Sequence, residues 1–180
     1  GNYLPLYSSQ FFTNRHHTPW GQAINFDGPC SRVVRDYFIH NALYWLEEYH
    51  FDGLRFDAAH AIIDGSPVHI VTELATTIRQ RFAKQRHIHL LLENADNTSR
   101  YLREQGAQKE CVHTAQWDDD IHHALHVALT GESDGYYSDY AENPAWHLGR
   151  CLAEGFSFQG EPSPYHGGVL RGEPSRDLPP

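Results

Sequence analysis

The chain has 180 residues, with 14 lysines and arginines against 23 aspartates and glutamates, a formal charge of −9 with neutral histidines. That balance argues against a surface built for nucleic acid or for an anionic membrane, both of which reward basic side chains. No run approaches the ~18 apolar residues of a membrane span, and the first residues form neither a basic segment nor an apolar signal core. Three cysteines, Cys30, Cys111 and Cys151, are widely spaced with no CxxC pair, the pattern of a reduced, cytoplasmic protein.

Residues 1–29 are rich in Asn, Pro, Gly, Ser and aromatics and show little periodicity, which predicts a long ordered loop. Tyr3, Tyr7, Phe11, Phe12 and Trp20 in it either stack on sugar faces or pack the loop onto the domain, and burial is the commoner use of an aromatic. Residues 31–49 read as a helix. Ser31 is a good cap, and Val34, Tyr37, Phe38, Asn41, Ala42, Trp45, Leu46 and Tyr49 recur at helical spacing, with Tyr44 and Trp45 expected in the core.

Residues 51–60 predict a short strand entered from a turn at Asp52-Gly53 and left at Ala58-Ala59. Side chains alternate across a strand, so Leu54 and Phe56 share an apolar face while Arg55 and Asp57 share the other. A carboxylate at the carboxyl end of a strand sits where α/β folds keep their active sites; a structural Arg55–Asp57 ion pair explains the same residues equally well. Ser66 as cap, Pro67 at the first helical position, and Val71, Leu74, Ala75, Ile78 and Phe82 at helical spacing predict the next helix. Residues 86–94 form a second strand with an apolar body that ends in Glu93. Strand, helix, strand is a right-handed crossover, so the two strands are parallel and expected to be adjacent. Adjacent strands lie roughly 4.8 Å apart, which brings Asp57 and Glu93 within reach of the ~5–5.5 Å separation used by retaining glycosidases.

A polar loop and a short helix over 98–105 lead to a third strand, 112–117, ending in Trp117. It is followed by the run Asp118-Asp119-Asp120-Ile121-His122-His123 and a helix extending to Gly131. His122 and His126 are four apart and share a helix face, which with nearby aspartates suits zinc. There is no HExxH, however, and acids at a helix start also answer the macrodipole, so no metal is expected. Residues 134–140 form a loop, 144–156 a helix with Leu148, Leu152 and Phe156 inward, and 157–180 a Gly-, Pro- and Ser-rich end.

Gly53-Leu54-Arg55-Phe56-Asp57-Ala58-Ala59-His60 resembles the nucleophile segment of the α-amylase superfamily of glycoside hydrolases, and Leu92-Glu93-Asn94 resembles its acid/base segment. Residues 1–12, the turn from Trp20-Gly21 to Asn25-Phe26, residues 116–123, Thr130-Gly131-Glu132 and residues 165–174 resemble the malto-oligosyltrehalose trehalohydrolase branch. The resemblance implies a (β/α)₈ barrel enzyme with Asp57 as nucleophile and Glu93 as acid/base. It implies Arg55, His60, Trp117, Asp119, Asp120, Ile121, His122 and His123 as substrate contacts, malto-oligosyltrehalose or a related α-glucan as partner, and no cofactor. A branching enzyme, or another α-glucan-acting member, would share Arg55, Asp57 and Glu93. A non-catalytic α-glucan-binding chain could keep the same motifs.

Three βα units end at Asp57, Glu93 and Trp117, whereas a closed barrel needs eight in roughly 250 residues. The expected fold class is therefore α/β, part of a TIM barrel. It comprises about strands four to six with their helices and long loops, not a closed barrel on its own. Residues 1–180 read as one partial catalytic domain without an internal boundary. The family's third acid, which follows an Asn-His pair, has no match; Asp177 precedes Leu178-Pro179-Pro180 instead. The chain alone is expected to be inactive.

Overall fold

The computed structural model describes residues 3–105, 110–111, 113–176 and 178. Its elements run α1 (Leu4–Tyr7), β1 (Phe12–Thr18), β2 (Gly21–Ile24), α2 (Ser31–Glu48), β3 (Gly53–Phe56), α3 (Ile70–Phe82), β4 (His89–Glu93), β5 (Glu104–Gln105), β6 (Glu110–Cys111), β7 (Ala115–Trp117), α4 (Asp119–Thr130), α5 (Pro144–Glu154), β8 (Glu161–Ser163) and β9 (Val169–Arg171). The central sheet is parallel, in the order β3-β4-β7, flanked in sequence by helices as a βα series requires. The α/β class and the adjacency of the two acid-bearing strands are as expected. The described residues contain no closed barrel. The chain divides into two compact units, residues 1–91 and 92–180, with the division falling inside β4.

In the first unit the expected loop over 1–29 is an antiparallel hairpin, β1 with β2, preceded by one turn of helix. The sequence hid it because β1, Phe-Thr-Asn-Arg-His-His-Thr, has one apolar residue and hence no alternation to read. Asn25 closes its far end, donating to the carbonyls of Gln10 and Pro29 and accepting from the Gly28 amide. Helix α2 starts as expected, but its cap is Cys30 in the left-handed region, φ 59°, and Ser31 lies inside the helix. Its buried face is Val34, Arg35, Ile39, Ala42 and Leu46, so Tyr44 and Trp45 fall outside the core. Helix α3 buries Val71, Leu74, Ala75, Ile78 and Phe82 as the spacing dictates, yet begins at Ile70 rather than after Ser66. His69 caps it, and Ser66 is taken instead by Asp64, Arg35 and the Phe26 carbonyl.

Where β3 meets β4 the backbones leave no room for a side chain. The His89 amide donates to the Asp52 carbonyl at 2.8 Å, and a Cβ on Gly53 would lie 2.5 Å from the His89 carbonyl oxygen. Glycine at 53 is a packing requirement of the sheet.

In the second unit, α4 and α5 pack with Ala124, Val127, Tyr140 and Phe158 at the centre and Leu148 against them. Of the apolar positions expected inward on a helix over 144–156, Leu148 is half-buried and Phe156, past the end of α5, is buried, but Leu152 is 72% exposed and Cys151 takes the buried place. The expected helix over 98–105 is a single 3₁₀ turn, Ser99–Leu102, followed by β5, which pairs with β6. The expected third strand is shorter, and Val112 and Asp177 lie outside the described residues. The Gly- and Pro-rich end carries the hairpin β8–β9.

Candidate active-site segments

Asp57 stands one residue past β3 with its side chain 82% exposed, and Arg55 Nη1 donates to its Oδ1 at 2.8 Å. The expected pairing of Arg55 with Asp57 is present. Ala58 follows in the left-handed region, φ 45°, an uncommon conformation for a residue with a Cβ and one that turns the chain sharply off the strand. The turn runs into a 3₁₀ segment, Ala59–Ala61, on which His60 is exposed.

What fixes this exit loop is Arg35, buried on α2. Its guanidinium donates to Asp64 (2.6 Å), to Glu73 (2.6 Å), and to the carbonyls of Phe26 (2.9 Å) and Val68 (2.7 Å). Burial alone would raise the Asp64 carboxyl. Hydrogen bonds from Ser66, Arg35 and the Ile70 amide hold it below the usual range instead. The segment after Asp57 is thus clamped to α2 and α3 by a satisfied charge cluster.

Glu93 ends β4, half-buried, with the fully enclosed side chains of Leu90 and Leu92 on the same strand. The next four residues form a tight polar turn. Asn94, 1% exposed, donates through Nδ2 to Gln116 Oε1 (3.2 Å) and to the Thr98 carbonyl (3.3 Å), while Gln116 Nε2 donates to the Asn94 carbonyl (3.3 Å). Asn97 is buried at φ 53° and donates to Asp120 Oδ2 at 2.6 Å and to the Phe158 carbonyl at 3.2 Å.

The run after β7 splits by depth. Trp117 is half-exposed at the strand end. Asp118 is the α4 cap, accepting from the Asp120 amide at 3.0 Å. Burial and the neighbouring Asp120 push its carboxyl up to about 7. Asp119 is buried, Ile121 half-buried, and His122 exposed. The His123 ring packs against His122 and Tyr136; burial and His122 push it down to about 4, so it is neutral at pH 7. Asp120 is fully buried, and its carboxylate accepts from Tyr140 Oη (2.6 Å), Arg171 Nη2 (2.7 Å), Asn97 Nδ2 (2.6 Å) and the amides of Ser157 (2.8 Å) and Phe158 (3.2 Å). In this chain that carboxylate has no face open to a sugar.

Of the two histidines that share a face of α4, His126 is engaged elsewhere: its Nε2 bonds Glu132 at 2.7 Å and its ring stacks on Tyr137. Ligand atoms of Asp118, Asp120 and Cys151 do lie within 4.8 Å of one another, but a cation there would have to displace the donors that fill Asp120.

Sequence reasoning missed the inward charges that organise these segments: Arg35 with Asp64, and Arg171 with Asp120, Asp139 and Tyr140. The available signal was weak. Each is an arginine placed among apolar or Gly-rich neighbours in an acidic chain.

No protein-family model matches the chain. The malto-oligosyltrehalose trehalohydrolase of Arthrobacter ramosus is 42% identical over 141 residues, 78% of this chain and 24% of that protein. The one of Saccharolobus solfataricus is 39% identical over 143 residues, again 78% and 24%. A branching enzyme of Leifsonia xyli matches 59 residues at 44% identity, 33% of this chain. A crystal structure of a candidate alpha amylase from Salmonella typhimurium superposes on all of the chain with a TM-score of 0.88 and 45% identity, using 30% of that protein. The chain thus spans about a quarter of the length of the curated relatives it matches. By sequence and by fold it belongs to the α-amylase superfamily, and within it is similar over most of its length to the malto-oligosyltrehalose trehalohydrolases.

Proposed function

We propose that these 180 residues form the central part, about strands four to six, of a longer (β/α)₈ catalytic domain in a cytoplasmic glycoside hydrolase. The substrate is malto-oligosyltrehalose, cut at the α-1,4-glucosidic bond next to the terminal trehalose to release trehalose and a maltodextrin. Asp57 attacks the anomeric carbon while Glu93 gives its proton to the departing glycosidic oxygen, and the C–O bond breaks. Water then attacks the glycosyl-Asp57 ester, Glu93 takes the proton from that water, and Asp57 leaves with net retention. Arg55 holds the nucleophile through the 2.8 Å bond to its carboxylate. His60, Trp117, Asp119, Ile121, His122 and His123 border the sugar, with Trp117 offering a half-exposed ring as a stacking face.

The observation that carries this reading is that Asp57 follows β3 and Glu93 ends β4, strands that are neighbours in the sheet, in a chain about 40% identical to named trehalohydrolases over four-fifths of its length. A branching activity has support from a match over one third of the chain. The longer match favours hydrolysis. The test is trehalose release from malto-oligosyltrehalose by the full-length protein, with amylose as the contrasting substrate. Asp57→Ala and Glu93→Gln should each remove nearly all of it while the fold persists; near-wild-type turnover in either variant refutes the assignment.

A further inference from the structure

We infer that Arg171 is a positioning residue for Glu93, acting through the backbone of the turn that follows it; this rests on the acid/base role proposed for Glu93. An acid/base must be held to within about 0.5 Å of its productive place. Glu93 is the last residue of β4, so half of its backbone setting comes from the turn over residues 94–97. Two devices hold that turn. On one side Gln116, in the middle of β7, exchanges two hydrogen bonds with Asn94. On the other, Arg171 donates from both Nε (2.9 Å) and Nη2 (2.8 Å) to the Ala95 carbonyl, two residues past Glu93.

Arg171 is itself fixed. Nη2 also reaches Asp120 at 2.7 Å, Nη1 reaches Tyr140 Oη at 3.0 Å and Asp139 at 3.3 Å, and the guanidinium lies over the Phe158 ring. Its backbone has no latitude either. Gly172 sits at φ 86°, and a Cβ there would lie 2.0 Å from the Phe158 carbonyl oxygen. The same Asp120 that anchors Arg171 also anchors Asn97 at the end of the turn. The guanidinium therefore ties the turn behind Glu93 to the start of α4. A planar fork with several fixed donors is needed for this, which an ammonium does not supply.

The test separates positioning from simple stability by the leaving group. A glycosidic oxygen needs the Glu93 proton as its bond to carbon breaks, whereas fluoride departs without one. In the full-length protein, Arg171→Lys should lower kcat on malto-oligosyltrehalose on the order of 100-fold, the scale of a catalytic group displaced by about 1 Å, with KM little changed. The initial burst of fluoride from α-maltosyl fluoride should stay near wild type, so the ratio of the two activities shifts by the same factor, on the order of 100-fold. Gln116→Leu, which loosens the same turn from its other side without stranding a buried charge, should give the same split at smaller size; if Arg171→Lys does not fold, Arg171→Gln combined with Asp120→Asn, which removes the ion pair together, decides the matter. Equal losses on both substrates, or none on either, overturn the inference while the proposed function stands, provided wild type releases trehalose and Glu93→Gln does not. A wild-type protein inactive on both substrates overturns the function and the inference with it.

Discussion

Asp120→Ala separates a ligand-binding aspartate from a structural one. The family resemblance assigns Asp120 to the sugar, whereas in the folded chain its carboxylate is enclosed and accepts from five donors, one of them the buried Arg171. Removing one partner of a buried ion pair costs about 3–5 kcal/mol, because the other charge is left without compensation. Arg171 keeps Asp139 at 3.3 Å, which softens that loss. Tyr140 Oη and two backbone amides also lose their acceptor, each a cost of about 1–3 kcal/mol if it stays buried and dry, whereas Asn97 Nδ2 keeps the Phe158 carbonyl. These terms overlap, so roughly 3–5 kcal/mol is the expected total rather than their sum. At 1.4 kcal/mol per decade this is a loss of protection of about 10²- to several 10³-fold. Hydrogen exchange read on peptides of α4 and of residues 156–173 measures it directly. Asp120→Asn, which keeps the shape and one acceptor oxygen, should fall between. Unchanged protection in Asp120→Ala together with weakened α-glucan binding would refute the structural role and restore Asp120 to the sugar site.

Asp118, pushed up to about 7, binds a proton in the folded protein that it has lost in the unfolded one between about pH 4 and 7, so its contribution makes stability fall as pH rises through that window. His123, pushed down to about 4, does the opposite between about pH 4 and 6.5. Asp118→Asn, which still caps α4, should therefore leave a local stability that rises with pH and exceeds wild type above pH 7, read by exchange of the α4 amides; a profile parallel to wild type would refute the shift. Cys30 is exposed and should react readily with a thiol reagent at pH 8, whereas burial and Asp118 hold the Cys151 thiol upward and unreactive until unfolding. Peptide mapping that finds both labelled at equal rates contradicts this. The 180-residue chain by itself should release no trehalose above a Glu93→Gln control, because the sheet it contributes is not a closed barrel.

The legible part of the fold followed hydrophobic period. Helix α3 and strand β4 were plain because Val71, Leu74, Ala75, Ile78 and Phe82, and then Leu90 and Leu92, face the core as their spacing requires. Helix α2 was legible in extent and in part of its phase: Val34, Ala42 and Leu46 are buried as their spacing requires, whereas Tyr37, Trp45 and Tyr49 are exposed. Its stripe includes the charged Arg35, which only the Asp64–Glu73 pocket explains, so aromatic positions were given the buried face instead. The hairpins β1–β2 and β8–β9 were invisible because β1 is polar, β8 carries a Pro, and β8 and β9 are only three residues each, too short to show an alternation. At the site, Asp57, Arg55 and Glu93 were readable as acids and a base at strand ends. The depth of Asp120 was not, since three consecutive aspartates look alike until Arg171, 51 residues on, is folded against one of them.

The proposed function assigns Asp57 as the nucleophile of a retaining hydrolysis. The most direct measurement is to trap the glycosyl-enzyme with a fluorinated α-glucosyl fluoride, which slows the second step, and to map the label by mass spectrometry in the full-length protein. One added fluoroglucosyl unit is expected, carried by the peptide spanning residues 51–60 and located on Asp57, with the α-anomer as first product from unmodified substrate. A label on another residue, or no label together with release of the β-anomer, would contradict it.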